Sequence, residues 1–102
     1  MSRYLLTESA SDDLREIAAY LAEQVGEETA LRIEDGLFAK FASLAEYPGQ
    51  GHSRADLTSL PLLFFSVDPY LIVYQSDASR VVIHAIFHGA RDVKRHLKQR
   101  RV

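Results

Sequence analysis

A chain of 102 residues with 47% hydrophobic content is the size of one domain with a modest core, so residues 1–102 are read as a single unit. The absence of cysteine excludes disulfides and thiolate zinc sites. No apolar run nears the length of a secretory core or a membrane span, so a cytoplasmic protein with no membrane partner is expected. The net charge of −2 conceals a polarity: residues 1–47 hold ten acidic and four basic side chains, and residues 89–102 hold six basic and one acidic. Such a separation reads either as a partner-facing surface or as a solvated helix face and tail.

The stretch from Arg3 to Thr7 is apolar at its centre and reads as a short strand. Thr7 or Ser9 can cap the helix that follows, with Glu8, Asp12 and Asp13 near its positive end. Ala10, Leu14, Ile17, Ala18, Leu21 and Val25 recur at helical spacing. Gly26 fits a left-handed position that closes this helix. A second helix is predicted from Glu27 or Glu28 to about Glu46, with Ala30, Ile33, Leu37, Phe41 and Leu44 as its stripe and Leu31, Phe38 and Ala45 widening it. Pro48-Gly49 stops it. The short connection makes the two helices an antiparallel hairpin.

Residues 50–59 are polar and read as a loop. Three apolar runs follow: Leu62 to Val67, Tyr70 to Gln75 and Val81 to Phe87. Asp68-Pro69 and Ser76-Asp77-Ala78-Ser79 separate them, which is the spacing of an antiparallel meander. Tyr70, Ile72 and Tyr74 share one face of the middle strand, with Leu71 and Val73 on the other. Strict alternation puts Val81, Ile83, Ala85 and Phe87 on one face of the last strand and Val82, His84, Ile86 and His88 on the opposite one. Val93 and Leu97, four apart, suggest a short final helix within residues 91–97. The expected architecture is α+β: an N-terminal strand and a helical hairpin packed on a small antiparallel sheet that includes a C-terminal meander.

These residues resemble a known family. Tyr4-Leu5-Leu6-Thr7 with Ala10, Asp13-Leu14, Ile17 and Tyr20 is similar to the opening of the ParE/RelE toxin superfamily of type II toxin–antitoxin systems. Pro48-Gly49-Gln50-Gly51 with Arg54 and Asp56-Leu57, then Tyr70-Leu71-Ile72-Val73-Tyr74, then Ile86-Phe87-His88-Gly89-Ala90-Arg91-Asp92, resemble its later segments in order. The ParE branch is the better match. The resemblance implies a toxin that inhibits DNA gyrase by protein–protein contact and is neutralised by a cognate antitoxin. It implies plasmid or chromosome maintenance, and contact with operator DNA only through the antitoxin. The alternatives are a ribosome-dependent mRNA endonuclease of the RelE kind and a non-toxic homologue that binds its partner. Where family members often carry arginines on the strands, this chain has Leu62-Leu63-Phe64-Phe65, Gln75 and the neighbourhood of His84.

Metal-free RNA cleavage needs an acid or base for the 2′-hydroxyl and cations for the phosphate. None of the three meander runs contains Lys or Arg, so no catalytic residue is assigned. The remaining pieces are Arg54, Arg80 and Arg91 with His84, His88 and His96. Four histidines without cysteine or helical pairing do not suggest a metal site, and no cofactor or small-molecule substrate is expected. His88, Arg91, Lys94 and Arg95 are the candidate target-binding residues. Arg91 can present a planar fork to an acid or phosphate, or form a structural pair with Asp92 or with the acidic first helix. Leu14, Leu21, Tyr70 and Tyr74 are the candidate antitoxin-binding residues, through an apolar groove or a sheet edge. Tyr4, Tyr20, Tyr47, Tyr70 and Tyr74 read as core or interface residues, and the acids between Glu8 and Glu28 as the wet face of the hairpin.

Overall fold

In the computed structural model, which describes residues 3–89 and 93–100, the chain forms β1 (Tyr4–Leu6), α1 (Glu8–Val25), α2 (Glu27–Glu46), β2 (Leu63–Val67), β3 (Tyr70–Ser76), β4 (Val81–His88) and α3 (Val93–Gln99). Every expected element is present. Thr7 is the α1 cap: its hydroxyl accepts the Ala10 amide at 3.1 Å, satisfying one of the N–H groups a helix start leaves open. Gly26 alone separates the helices. Its φ of 87° is positive as expected, but its ψ of 160° takes it out of the left-handed helical well into a region open essentially to glycine. Gln50, in a 3-10 turn formed by Pro48–Gln50, reaches back to the Ser43 and Tyr47 carbonyls at 3.0 and 3.1 Å and closes the end of α2.

The sheet runs in the order β1-β4-β3-β2. β2, β3 and β4 are antiparallel neighbours, whereas β1 lies parallel to β4, with Tyr4 opposite Val81 and Leu6 opposite Ile83. The α1–α2 hairpin covers one face. Leu14, Leu37, Phe41 and Leu44 meet Tyr70, Ile72, Tyr74, Val81, Ile83 and Ile86 there. On the opposite face Leu62, Phe64, Val73, Ala85 and Phe87 pack under Val93 and Leu97 of α3. Val25 and Leu31 were expected in the hairpin stripes but are 47% and 59% exposed, because they sit at the connection and on the outer flank of α2.

The alternation expected along β4 fails at one point. Val73 is opposite Ala85, yet Tyr74 is opposite Ile83, so His84 is an extra residue in the ladder, a β-bulge. The bulge flips the side-chain phase. Val81 and Ile83 therefore face the hairpin with Ile86, while Ala85 and Phe87 face α3. One inserted residue lets a single strand serve both cores.

Tyr74 ties the polar loop to the core. Its ring is fully buried, its hydroxyl donates to the Pro48 carbonyl at 2.6 Å, and it accepts the Gly51 amide at 2.8 Å. Burial pushes its phenol pKa up. A Cβ at Gly51 would stand 2.5 Å from that hydroxyl and 3.0 Å from the Phe64 carbonyl, so the loop can approach this closely only as glycine. Replacing Tyr74 with Phe keeps the ring and strands both loop groups. The expected loss is about 1–3 kcal/mol, read from the urea midpoint.

Candidate functional site

The site is built around Asp13. On α1 it follows Ala10 by one turn and adjoins Leu14, so it lies at the border of the buried stripe, with a side chain 14% exposed. One carboxylate oxygen accepts from Arg100 Nη2 at 2.5 Å. The other accepts the Ile86 amide of β4 at 3.0 Å. Asp13 is thus no part of a wet acidic face, as the sequence suggested. It spans the gap between the first helix, the last strand and the residue that follows the last helix.

The bulge explains why such a clamp is needed. β1 ends opposite Ile83, so no strand runs beside residues 84–88 on that edge of β4. Edge groups left bare there would be costly. Side chains supply the partners instead: the His84 carbonyl accepts from Arg100 Nη1 at 2.8 Å and from the Thr7 hydroxyl at 3.4 Å, and Asp13 takes the Ile86 amide. The Arg100 guanidinium also lies 5.0 Å from the centre of the Phe87 ring, a cation–π contact. The sequence reading offered Arg91 for a pair with the acidic first helix. Arg100 makes that pair here, and Arg91 lies outside the described residues.

The His84 ring sits 3.3 Å from the Gln75 side-chain oxygen, and burial, then the Arg100 charge, lower its pKa. The folded state therefore binds this proton less readily than the unfolded chain. Stability should be insensitive to His84 above the unfolded value of about 6.5 and should decline as pH falls through it toward the lower folded value. The expected result is a urea midpoint that drops as pH falls below about 6.5, and drops less in His84→Gln.

Beside Asp13 a cleft of about 420 Å³ opens between α1 and β4. Asp13, Glu16, Ile17, Tyr20, Tyr70, Ile86 and His88 line it. Tyr20 is 59% exposed at its mouth, and the His88 imidazole stands edge-on to the Tyr70 ring at 5.8 Å. The candidate antitoxin-binding residues divide accordingly. Tyr70 forms part of the cleft wall. Leu14 and Leu21 are buried on α1 and take no part in the cleft lining, and Tyr74 lies wholly inside, with β3 flanked by strands on both sides. Of the other contributors to this surface, Ile17 was read as part of the helical stripe and Tyr20 as a core or interface residue, and only Glu16 was not singled out. Its signal was a place at the stripe's margin.

The candidate target-binding residues do not form one surface: His88 belongs to the wall of this cleft, Lys94 and Arg95 lie on α3, and Arg91 is outside the described residues. His88 ends β4 in the open, and Lys94 and Arg95 are exposed on α3 with Lys98. Lys94 and Lys98 border a shallow hollow with residues 55–60, where Arg54 forms a two-pronged ion pair with Asp56 at 2.8–2.9 Å. That pair holds the Asp56 carboxyl below its usual range. Among the described residues no group of three His, Cys, Asp or Glu side chains could hold a metal ion, and no helix is long and apolar enough to cross a membrane.

Taken together these features define a small α+β domain with a helical hairpin on one sheet face, a clamped last strand and a short basic helix over the other face. The fold is similar to that of a solved chain from the chromosomal ParDE system of P. aeruginosa, with a TM-score of 0.71, 20% identity, and coverage of 86% of this chain and 96% of that one. The family model for the ParE toxin of the type II toxin–antitoxin system, parDE, matches residues 4–93. The chain belongs to this ParE toxin family, as the sequence motifs had suggested. No curated protein matches it in sequence.

Proposed function

We propose that this chain is a cytoplasmic toxin that inhibits DNA gyrase by protein–protein contact and is held inactive by a cognate antitoxin, through which alone the complex meets operator DNA. Its setting is plasmid or chromosome maintenance. The family assignment supports the antitoxin partner. One structural observation carries the choice of contact over RNA cleavage. The meander strands bear no Lys or Arg, and the sheet face away from the hairpin is filled with Leu62, Phe64, Val73, Ala85 and Phe87 under α3. That face is packing, not a cradle for phosphate. On that side the His96 ring lies against Phe87 at a centroid distance of 5.7 Å, while His84 is bonded to Gln75 and carries a lowered pKa. The cationic groups stand on the outside of α3, where they suit an acidic or anionic patch on a large partner.

In this reading His88, Lys94 and Arg95 meet gyrase, together with Arg91, and the antitoxin covers the surface above Leu14, Leu21 and Tyr70. Because Tyr74 is enclosed, its contribution is to hold the neighbouring loop. The test is supercoiling by purified gyrase with the purified toxin present, alongside messenger cleavage on translating ribosomes. Inhibited supercoiling with intact messages is expected. Charge reversal at Lys94 and Lys98 together should weaken inhibition at least about tenfold without moving the urea midpoint, since both side chains are exposed. Cleaved messages with untouched supercoiling would replace this reading with the ribonuclease one, and the absence of both effects would leave a non-toxic binding protein.

A further inference from the structure

We infer that the α1–β4 cleft receives a short extended segment of the antitoxin carrying an apolar side chain beside a Lys or Arg, with the apolar group set among Ile17, Tyr20, Tyr70 and Ile86 and the cation on Glu16. This rests on the toxin reading above and adds the place and chemistry of docking. Three observations converge on it.

The first is the strand edge. Residues 84–88 of β4 have no strand neighbour on the β1 side. The His84 carbonyl and the Ile86 amide are already met by Arg100 and Asp13. The two-residue period of a strand places the Ile86 carbonyl and the His88 amide next along the same edge. That stretch accommodates two or three residues of an added strand and no more.

The second is the lining. Ile17, Tyr20, Tyr70 and Ile86 surround an open space of about 420 Å³, room for one or two side chains. Tyr20 stands 59% exposed at the mouth, and an apolar side chain inserted beside it would remove its ring from water.

The third is charge. Both Asp13 oxygens are engaged, and Arg100 is fixed by the carboxylate, the His84 carbonyl and the Phe87 ring together, so an entering cation does not readily take its place. Asp12 is paired with Arg15. Glu16, one turn beyond Asp12, faces the cleft and meets no cation among the described residues. The surrounding hairpin is acidic, with ten acidic and four basic residues in positions 1–47, and repels an acidic segment. The partner that complements this cleft is basic and apolar. Because Arg100 stays where it is, docking leaves α3 seated on the sheet.

The experiment measures binding of the purified antitoxin encoded with this toxin to the full chain by calorimetry. Glu16→Arg and Tyr20→Asp should each weaken it at least about tenfold. Glu16→Gln should fall between Glu16→Arg and the parent, and Leu31→Asp, exposed on the far flank of the hairpin, should bind as the parent does. All three positions are exposed, so an unchanged urea midpoint certifies folding. Parental affinity in both cleft variants, or an equal loss in Leu31→Asp, overturns the assignment while leaving the toxin reading intact. A parent chain that binds no antitoxin defeats the toxin reading itself. Self-association of the toxin that Glu16→Arg abolishes would give the cleft to a second copy and also overturn the proposal. Amide exchange in residues 93–99 should stay as slow in the complex as in the free toxin, and faster exchange would refute the seated helix.

Discussion

Asp13→Ala is expected to lower the stability of the free toxin by about 2–4 kcal/mol, the cost of losing a charge-assisted hydrogen bond in a part-buried pair and stranding a strand amide. The loss has two sources. Arg100, with a side chain 18% exposed, keeps its charge and loses its counter-ion, and the Ile86 amide loses its acceptor. The total stability of a domain this size is about 5–15 kcal/mol, so the loss is a substantial fraction of it. A double-mutant cycle isolates the pair. Arg100→Ala should cost less in the Asp13→Ala background than in the parent, because the charge left without a partner is removed. Additive effects, read from urea midpoints, would show that the two side chains act independently.

Phe41→Ala is expected to cost about 3–5 kcal/mol through cavity formation. Phe41 is fully buried between α2 and the sheet. Its ring touches Tyr4 of β1 at a centroid distance of 5.7 Å and Phe38 of α2 at 5.8 Å. The loss reaches β1, only three residues long, which otherwise packs on this core through Leu6. Phe38 is only partly buried, so Phe38→Ala should cost clearly less. Thermal unfolding distinguishes them, since each kcal/mol moves the midpoint by about 4–8 °C in a domain of this length.

Much of the fold was legible because its signals are local. Thr7, the leucine spacing of α1, Pro48-Gly49 and the turn residues between strands each fix an element without reference to distant chain. In the last of those turns the Asp77 carboxylate takes the Ser79 and Arg80 amides, which is what an aspartate in that place does. The parts that escaped are long-range or out of period. His84 is a bulge, and strict alternation has no place for an extra residue, so Ala85 and Phe87 were assigned to the wrong face. Asp13 looked like one of several solvated acids because its partner is 87 positions away. Its adjacency to Leu14 on the buried border was the available clue. Family resemblance supplied the identity, but Tyr74 shows the limit of carrying a pattern directly to a surface: an aromatic at that place turned inward, where its hydroxyl organises the loop at Gly51.

The parallel pairing of β1 with β4 sets a timetable for synthesis. Tyr4 cannot find its neighbour until Val81 has been translated, 77 positions later. At about 5–20 residues per second the hairpin is made some seconds before the strand it needs. Closing so long a loop is entropically unfavourable until the meander exists to repay it. A nascent chain on the ribosome therefore has its acidic helices but neither its finished sheet nor its basic helix until synthesis is nearly complete. Any surface that draws on β4, the cleft beside α1 included, is therefore assembled only in the last moments of synthesis.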